Sequence, residues 1–178
     1  MARIVVFDSG FGSLSVIRPI QKAIKSDLIY YADQKNFPYG KKSKSQLTKI
    51  ITNRIKFLEE KFNPDLIVVG SNTPSLLVEI NKKNVIKVLP PIKMAAKVSV
   101  TGNIAILATL AAVKSKKLSD FIKKNRLPKR INVKKINASR LVQLVESAKF
   151  IDNQNLCNTI VRKVLSAQFS KHNIDVAT

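Results

Sequence analysis

Along the chain, short solid apolar runs alternate with stretches in which apolar residues recur every three or four positions, the spacing of one helical face. Arg3–Phe7 is a solid run and predicts a buried strand. From Leu14 to Lys25 the apolar positions Leu14, Ile17, Ile20 and Ile24 share a helical face, with Pro19 expected to kink that helix or delay its start. Leu28–Ala32 predicts a second strand, followed by a polar loop ending Pro38-Tyr39-Gly40. Ser43 can cap a helix reaching Phe62, with Leu47, Ile50, Ile51, Ile55 and Leu58 as its core stripe. Asp65–Gly70 reads as a fully buried strand. Ser71-Asn72-Thr73-Pro74 then turns the chain into another helix, with the proline suited to its first turn.

A short strand Val85–Leu89 and a helix Ile92–Val100 follow. The alternation continues with a strand Asn103–Ala108, a helix Val113–Lys124, a strand Asn132–Ile136, a helix Ser139–Ala148 and a longer helix Asn153–Ser170. Ile174–Ala177 looks like a strand just beginning. Solid strands alternating with amphipathic helices predict an α/β fold, its parallel sheets covered on both faces. No Gly/Ser-rich linker divides the chain, but the strand at Asn103 restarts the pattern. The expected division is a first α/β domain over residues 1–92 and a second over 93–178.

Composition narrows the class. The chain has 178 residues, 45% hydrophobic and 24% charged, enough for a real core and unlike a disordered sequence. No apolar run approaches the roughly 18 residues that span a bilayer, and the opening residues do not read as a signal peptide, so the expected location is cytoplasmic, with no membrane partner. The single cysteine, Cys157, permits no internal disulfide and no thiolate metal cluster. Charge is the odd feature: 32 basic residues stand against 11 acidic ones, a formal +21, and ten of the basic ones lie between Lys114 and Lys135 with only Asp120 opposing them. Either this is a solvated lysine-rich surface or it meets a polyanion such as nucleic acid without sequence preference. The excess of lysine over the bidentate arginine fork argues for the first.

Ligands of open parallel sheets bind beyond the carboxyl ends of the strands, and three loops are expected there. Asp8-Ser9-Gly10-Phe11-Gly12-Ser13 offers a tight glycine turn whose backbone amides can approach an anion at a helix start. Pro38-Tyr39-Gly40 supplies a hydroxyl and an exposed amide. Ser71-Asn72-Thr73 supplies small side-chain donors suited to a carboxylate. Together they predict a site for a small carboxylate.

The combination resembles the glutamate racemase family, within the aspartate, glutamate and hydantoin racemases. The likeness is carried by Phe7-Asp8-Ser9-Gly10-x-Gly12, by Pro38-Tyr39-Gly40 with Ser43, and by Ser71-Asn72-Thr73. It continues more weakly through Ala108-Thr109, Val113-Lys114-Ser115 and Leu144-Val145-Glu146. It implies two flavodoxin-like units with parallel sheets, the second incomplete here. It also implies cofactor-independent and metal-free racemisation of L- and D-glutamate, an acidic amino acid or dicarboxylate as ligand, and leaves room for a homodimer. In that family one cysteine thiolate removes the Cα proton and a second cysteine returns one from the opposite face, work suited to a thiol poised near neutral pH. By resemblance, Asp8 supports one cysteine. Asp8, Ser9, Pro38, Tyr39, Gly40, Asn72 and Thr73 then hold substrate, and Glu146 assists on the other side.

Two departures follow. The first cysteine position is Ser71, whose hydroxyl is too weak an acid to be ionised without a strong base, and the only histidine, His172, lies near the far end of the sequence. The family's second cysteine, in a Cys-Thr-His motif, would fall after Ile174–Ala177, which suggests a fragment. Cys157-Asn158-Thr159 spells the missing motif but sits among Leu156, Ile160, Val161, Val164 and Leu165 in a helical pattern, so Cys157 is expected to be a buried apolar residue and His172 a surface or helix-end residue. The expectation is a racemase-like protein inactive in two-base chemistry. The alternatives are a pseudoenzyme that binds carboxylates, a one-base decarboxylase or isomerase, or a non-specific nucleic-acid binder.

Overall fold

A computed structural model describes residues 1–178, which divide into two compact units, Met1–Leu89 and Pro90–Thr178. The first holds four parallel strands, β1 (Ala2–Asp8), β2 (Ser26–Ala32), β3 (Leu66–Val69) and β4 (Val85–Lys87), in the order β2-β1-β3-β4. Three helices belong to it, α1 (Leu14–Ala23), α2 (Lys44–Phe62) and α3 (Asn72–Leu77), with single tight turns at Gln34–Asn36 and Tyr39–Lys41. The period of two along β1 sends alternate residues to opposite faces. Val5 and Phe7 pack with Leu47, Ile51, Ile55 and Leu58 of α2, while Ile4 and Val6 pack against Val16, Ile17 and Ile20 of α1. Both faces are covered, so β1 and β3 read as continuous apolar runs.

The helices follow local chemistry. Ser43 caps α2 by a capping box: its hydroxyl accepts from the Gln46 amide at 3.2 Å, and the Gln46 side chain accepts from the Ser43 amide at 2.9 Å. Pro19 does not delay α1, which begins at Leu14, but the face differs from expectation: Leu14 and Ile24 are exposed and Val16 joins Ile17 and Ile20 in the packing.

The second unit holds β5 (Asn103–Ala108), β6 (Asn132–Asn137) and β7 (Val176–Ala177), parallel in the order β6-β5-β7. Its helices are α4 (Ile92–Val98), α5 (Leu110–Lys114), α6 (Lys116–Lys124), α7 (Ser139–Glu146), α8 (Gln154–Val161) and α9 (Ala167–His172). The expected helix Val113–Lys124 is two helices. Ser115 breaks it because its hydroxyl accepts from the Leu118 amide at 3.2 Å and starts α6 afresh. The long helix near the end is one run, in which α8 and α9 are joined by a widened turn at Arg162–Ser166. No helix is long and apolar enough to cross a membrane.

Candidate functional site

In the order β2-β1-β3-β4, the chain runs from β1 to β2 on one side and returns to β3 on the other, so a crevice opens beyond the carboxyl ends of β1 and β3. Register aligns the three strand ends: Asp8 lies opposite Ala32 and Phe7 opposite Val69. The loops that follow therefore leave from one edge. The ladder carries on into them, with the Asp33 amide donating to the Asp8 carbonyl at 2.7 Å and the Gly70 amide to the Phe7 carbonyl at 2.9 Å.

In the first loop, Asp8 and Ser9 are buried. The Asp8 carboxylate accepts from the Ser9 amide at 2.6 Å and lies 3.4 Å from its hydroxyl. Tyr30 reaches up from β2 to donate to the Gly10 carbonyl and accepts from the Ser13 hydroxyl at 3.2 Å, which holds the loop down on the sheet. Gly70 lets this loop cross the end of β3, since a Cβ there would sit 2.4 Å from the Ser13 Cβ.

The second loop meets the first at Tyr39, whose amide points at the Ser9 hydroxyl at 3.5 Å. Its side chain departs from expectation. Tyr39 is 1% exposed, and its hydroxyl donates inward to Asp33 at 2.9 Å instead of facing a ligand. Burial, then the Asp33 charge, push its phenol far above the usual range, so the proton stays on oxygen. What this loop can offer a ligand is backbone, at Tyr39 and at half-buried Gly40 beside half-buried Pro38.

From the third loop, Ser71 is half-buried and opens α3 without a hydrogen bond from its hydroxyl capping the helix. Asn72 is exposed and Thr73 buried. The first edge of the molecule thus gathers Asp8, Ser9, the Tyr39–Gly40 backbone, Ser71, Asn72 and Thr73. It pairs one carboxylate with several neutral donors, a set that can take both the ammonium and the carboxylate of an amino acid.

Glu146 is half-buried at the last position of α7 in the second unit. Cys157 lies on α8 as expected but is half-buried, not buried, because that helix buries none of its residues. His172 ends α9. Loss of solvation, then Lys134 and Lys171, lower its pKa.

Sequence reading missed Asp33, Asn36 and Arg54. The Asp33 carboxylate, 1% exposed, accepts from Asn36 at 2.8 and 3.0 Å and from Tyr39, and pairs with Arg54 at 2.9 Å. One signal was present: Asp33 follows the apolar run of β2 just as Asp8 closes β1, and an acid at the end of an apolar strand is a candidate in both places.

No family model matches the chain. Known proteins do resemble it. It is 31% identical over 180 residues to the glutamate racemase of Campylobacter curvus, covering 95% of this chain and 65% of that protein. To the glutamate racemase of Bartonella quintana it is 32% identical over 172 residues, covering 89% and 62%. Among solved structures, Escherichia coli glutamate racemase, in complex with L-glutamate and the activator UDP-MurNAc-ala, superposes with a TM-score of 0.79 at 28% identity, over 91% of this chain and 63% of that one. A Bacillus anthracis glutamate racemase isoform gives 0.82 at 25% identity, over 99% and 66%. The Francisella tularensis glutamate racemase, in complex with D-glutamate, gives 0.78 at 26% identity, over 99% and 66%. The chain spans less than two thirds of the length of these relatives. Over the stretch it spans, the chain is similar in sequence and in fold to glutamate racemases.

Proposed function

We propose that this chain binds a small acidic amino acid or dicarboxylate at the carboxyl edge of its first sheet and does not perform two-base racemisation. The observation that carries the binding is the convergence of Asp8, Ser9, the Tyr39 amide, Asn72 and Thr73 on loops that leave one strand edge. The relatives solved with L- and D-glutamate support glutamate as the first ligand to try. In this reading Ser9, Pro38–Gly40, Asn72 and Thr73 hold the ligand, and Asp8 meets its ammonium group. No cofactor and no metal take part.

The inactivity rests on Ser71. Taking a proton from Cα needs a base, and an un-ionised hydroxyl is not one at neutral pH. The first unit contains neither a cysteine nor a histidine to replace the thiolate or activate the serine. Calorimetry with both enantiomers of glutamate and of aspartate tests the binding, and Asn72→Ala with Thr73→Ala should weaken it by at least tenfold. Unchanged binding in that double variant places the site elsewhere. Circular dichroism of L-glutamate over time, with deuterium incorporation followed by NMR, tests the chemistry. The 178-residue chain should leave L-glutamate unchanged, and Ser71→Cys should exchange the Cα hydrogen at most slowly, without inversion. Racemisation by the unmodified chain overturns the claim.

A second property rests on charge. Lys123 and Lys124 at the end of α6 and Arg126, Lys129 and Arg130 in the turn to β6 are all exposed. Nucleic acid should bind them weakly, without sequence preference, and release steeply as salt rises. Fluorescence anisotropy with labelled DNA of several sequences is the measurement. Sequence-selective binding that persists in high salt contradicts it.

A further inference from the structure

Asp33 is buried at the end of β2, and a carboxylate removed from water is strongly destabilising unless it is paired and hydrogen-bonded. Its partners come from separate parts of the first unit. Asn36 and Tyr39 flank Phe37–Pro38 on the ligand loop, and Arg54 lies in the middle of α2. Through its own amide, Asp33 is also bonded to Asp8, the residue whose side chain holds Ser9.

Arg54 is tightly held in turn. Its guanidinium lies 5.3 Å from the Tyr31 ring centre and 5.2 Å from that of Phe57, and it donates to the Tyr31 hydroxyl at 3.0 Å, while its buried Nε has no partner. Docking α2 does not call for this ion pair, because Leu47, Ile51, Ile55 and Leu58 already bury the helix against the sheet. Apolar replacements of buried ion pairs are often neutral or stabilising, so stability alone does not explain the pair. What no apolar group could supply is direction. The two loop donors that converge on Asp33 fix the Tyr39 side chain below the loop and leave the Tyr39 amide aimed at Ser9.

We propose that Asp33, held in place by Arg54, is a positioning residue that acts through the Tyr39 hydroxyl to aim the Tyr39–Gly40 backbone into the carboxylate site. Asp33 itself touches no ligand. The inference rests on the acidic-amino-acid reading above. It has a consequence for how the site recognises its ligand: selectivity on this side comes from the orientation of amides and not from the phenol. The Tyr39 phenol stays protonated, so the hydrogen bond to Asp33 does not switch within the working pH range.

The test uses the whole chain and two variants. Tyr39→Phe removes only the hydroxyl that Asp33 receives, and leaves the Asp33–Arg54 pair intact. Asp33→Asn combined with Arg54→Met removes both charges together, so that no unpaired ion is left buried. Thermal melts and NMR spectra of the ligand-free proteins come first. In both variants the backbone amide resonances of Ser9, Tyr39 and Gly40 should shift, while those of β5 and β6 stay in place. Calorimetry with L-glutamate should then show affinity reduced by at least tenfold in both. Variants that fold but keep wild-type resonances at Tyr39 and Gly40, or that bind L-glutamate as the wild type does, overturn the proposal. If the wild type itself does not bind L-glutamate or its relatives, the ligand reading fails separately. The amide shifts of the free variants still decide whether Asp33 positions the loop.

Discussion

At the carboxyl ends of β1 and β2 the first unit buries Asp8, Asp33 and Tyr39, whereas beyond the matching ends of β5 and β6 the second unit carries Thr109, Asn137 and Ser139. The strand order is the same in both places, with the first strand of each unit between its second and third. The bonding is not. Around Asp33 the side-chain partners are Asn36 and Tyr39 of the loop and the charged Arg54 of α2. In the second unit the Ser139 hydroxyl donates to Asn137, two residues away at 2.7 Å, and accepts from the Leu110 amide at 3.1 Å. The amino edges, by contrast, are alike. Asp65 accepts from the Arg3 amide at 2.7 Å in the first unit, and Asp175 gathers Ser99, Val100 and Thr101 at 2.7, 2.6 and 2.9 Å in the second. Topology offers each sheet a place for a ligand, and only the first has furnished its place with charge. Charge is also differently disposed over the two surfaces. The first unit has 15 basic and 7 acidic residues, the second 17 and 4, and the ion pairs Arg3–Asp27, Arg54–Asp33, Lys56–Glu60 and Lys82–Glu59 all belong to the first.

The comparison breaks most readily at Gly70, where the first loop crosses the end of β3. Gly70→Ala would place a methyl group 2.4 Å from the Cβ of Ser13 and 2.8 Å from its hydroxyl, and Ser13 is 2% exposed with nowhere to retreat. Overpacking of this kind costs about 1–3 kcal/mol. Urea denaturation should show that loss in the first unit, and L-glutamate affinity should fall with it because Ser9 moves with the loop. A variant with an unchanged midpoint and unchanged affinity would mean that the loop is not seated on the strand end, and the contrast between the two edges would lose its structural basis.

How much of this could be read from the sequence depends on how local each cause is. The solid runs of β1, β3 and β5 and the stripe Leu47, Ile51, Ile55 and Leu58 are periodic within one element, so the α/β alternation and the shared edge of the three loops were legible. Ser115 was legible in principle, as an N-cap three residues before Leu118, but the apolar spacing runs through it and hides the break. The turn of Tyr39 away from the ligand was not legible. Its motif is local, whereas its reason is Asp33 and, through Asp33, Arg54 on another element, and no periodicity links residues 33, 39 and 54. Cys157 misled for the opposite reason: an apolar neighbourhood in sequence became a helix that packs only part of its surface.

The smallest effect sharpens the comparison from the amino edge. Asp175 has its pKa held below the usual carboxylate range, first by the Ser99 hydroxyl and then by the Thr101 and Val100 amides. A carboxylate depressed by folding adds stability above its unfolded pKa and loses it as pH falls through its folded value. The contribution of Asp175 is therefore complete at neutral pH and declines below about pH 4, where an unfolded aspartate takes up its proton. Asp175→Asn keeps the shape but leaves one oxygen where Asp175 uses two, one accepting from the Ser99 hydroxyl and the other from the Val100 and Thr101 amides. The variant should melt a little lower than the wild type at pH 7, with the difference beginning to narrow below about pH 4, and the first unit should be unaffected. Because Asp175 lies at the surface, the difference will be modest. Thermal melts across that range, with near-surface amides of both units followed by NMR, measure it. A gap that stays constant with pH would show that the carboxylate acts by shape alone, and the likeness of the two amino edges would then be one of geometry and not of charge.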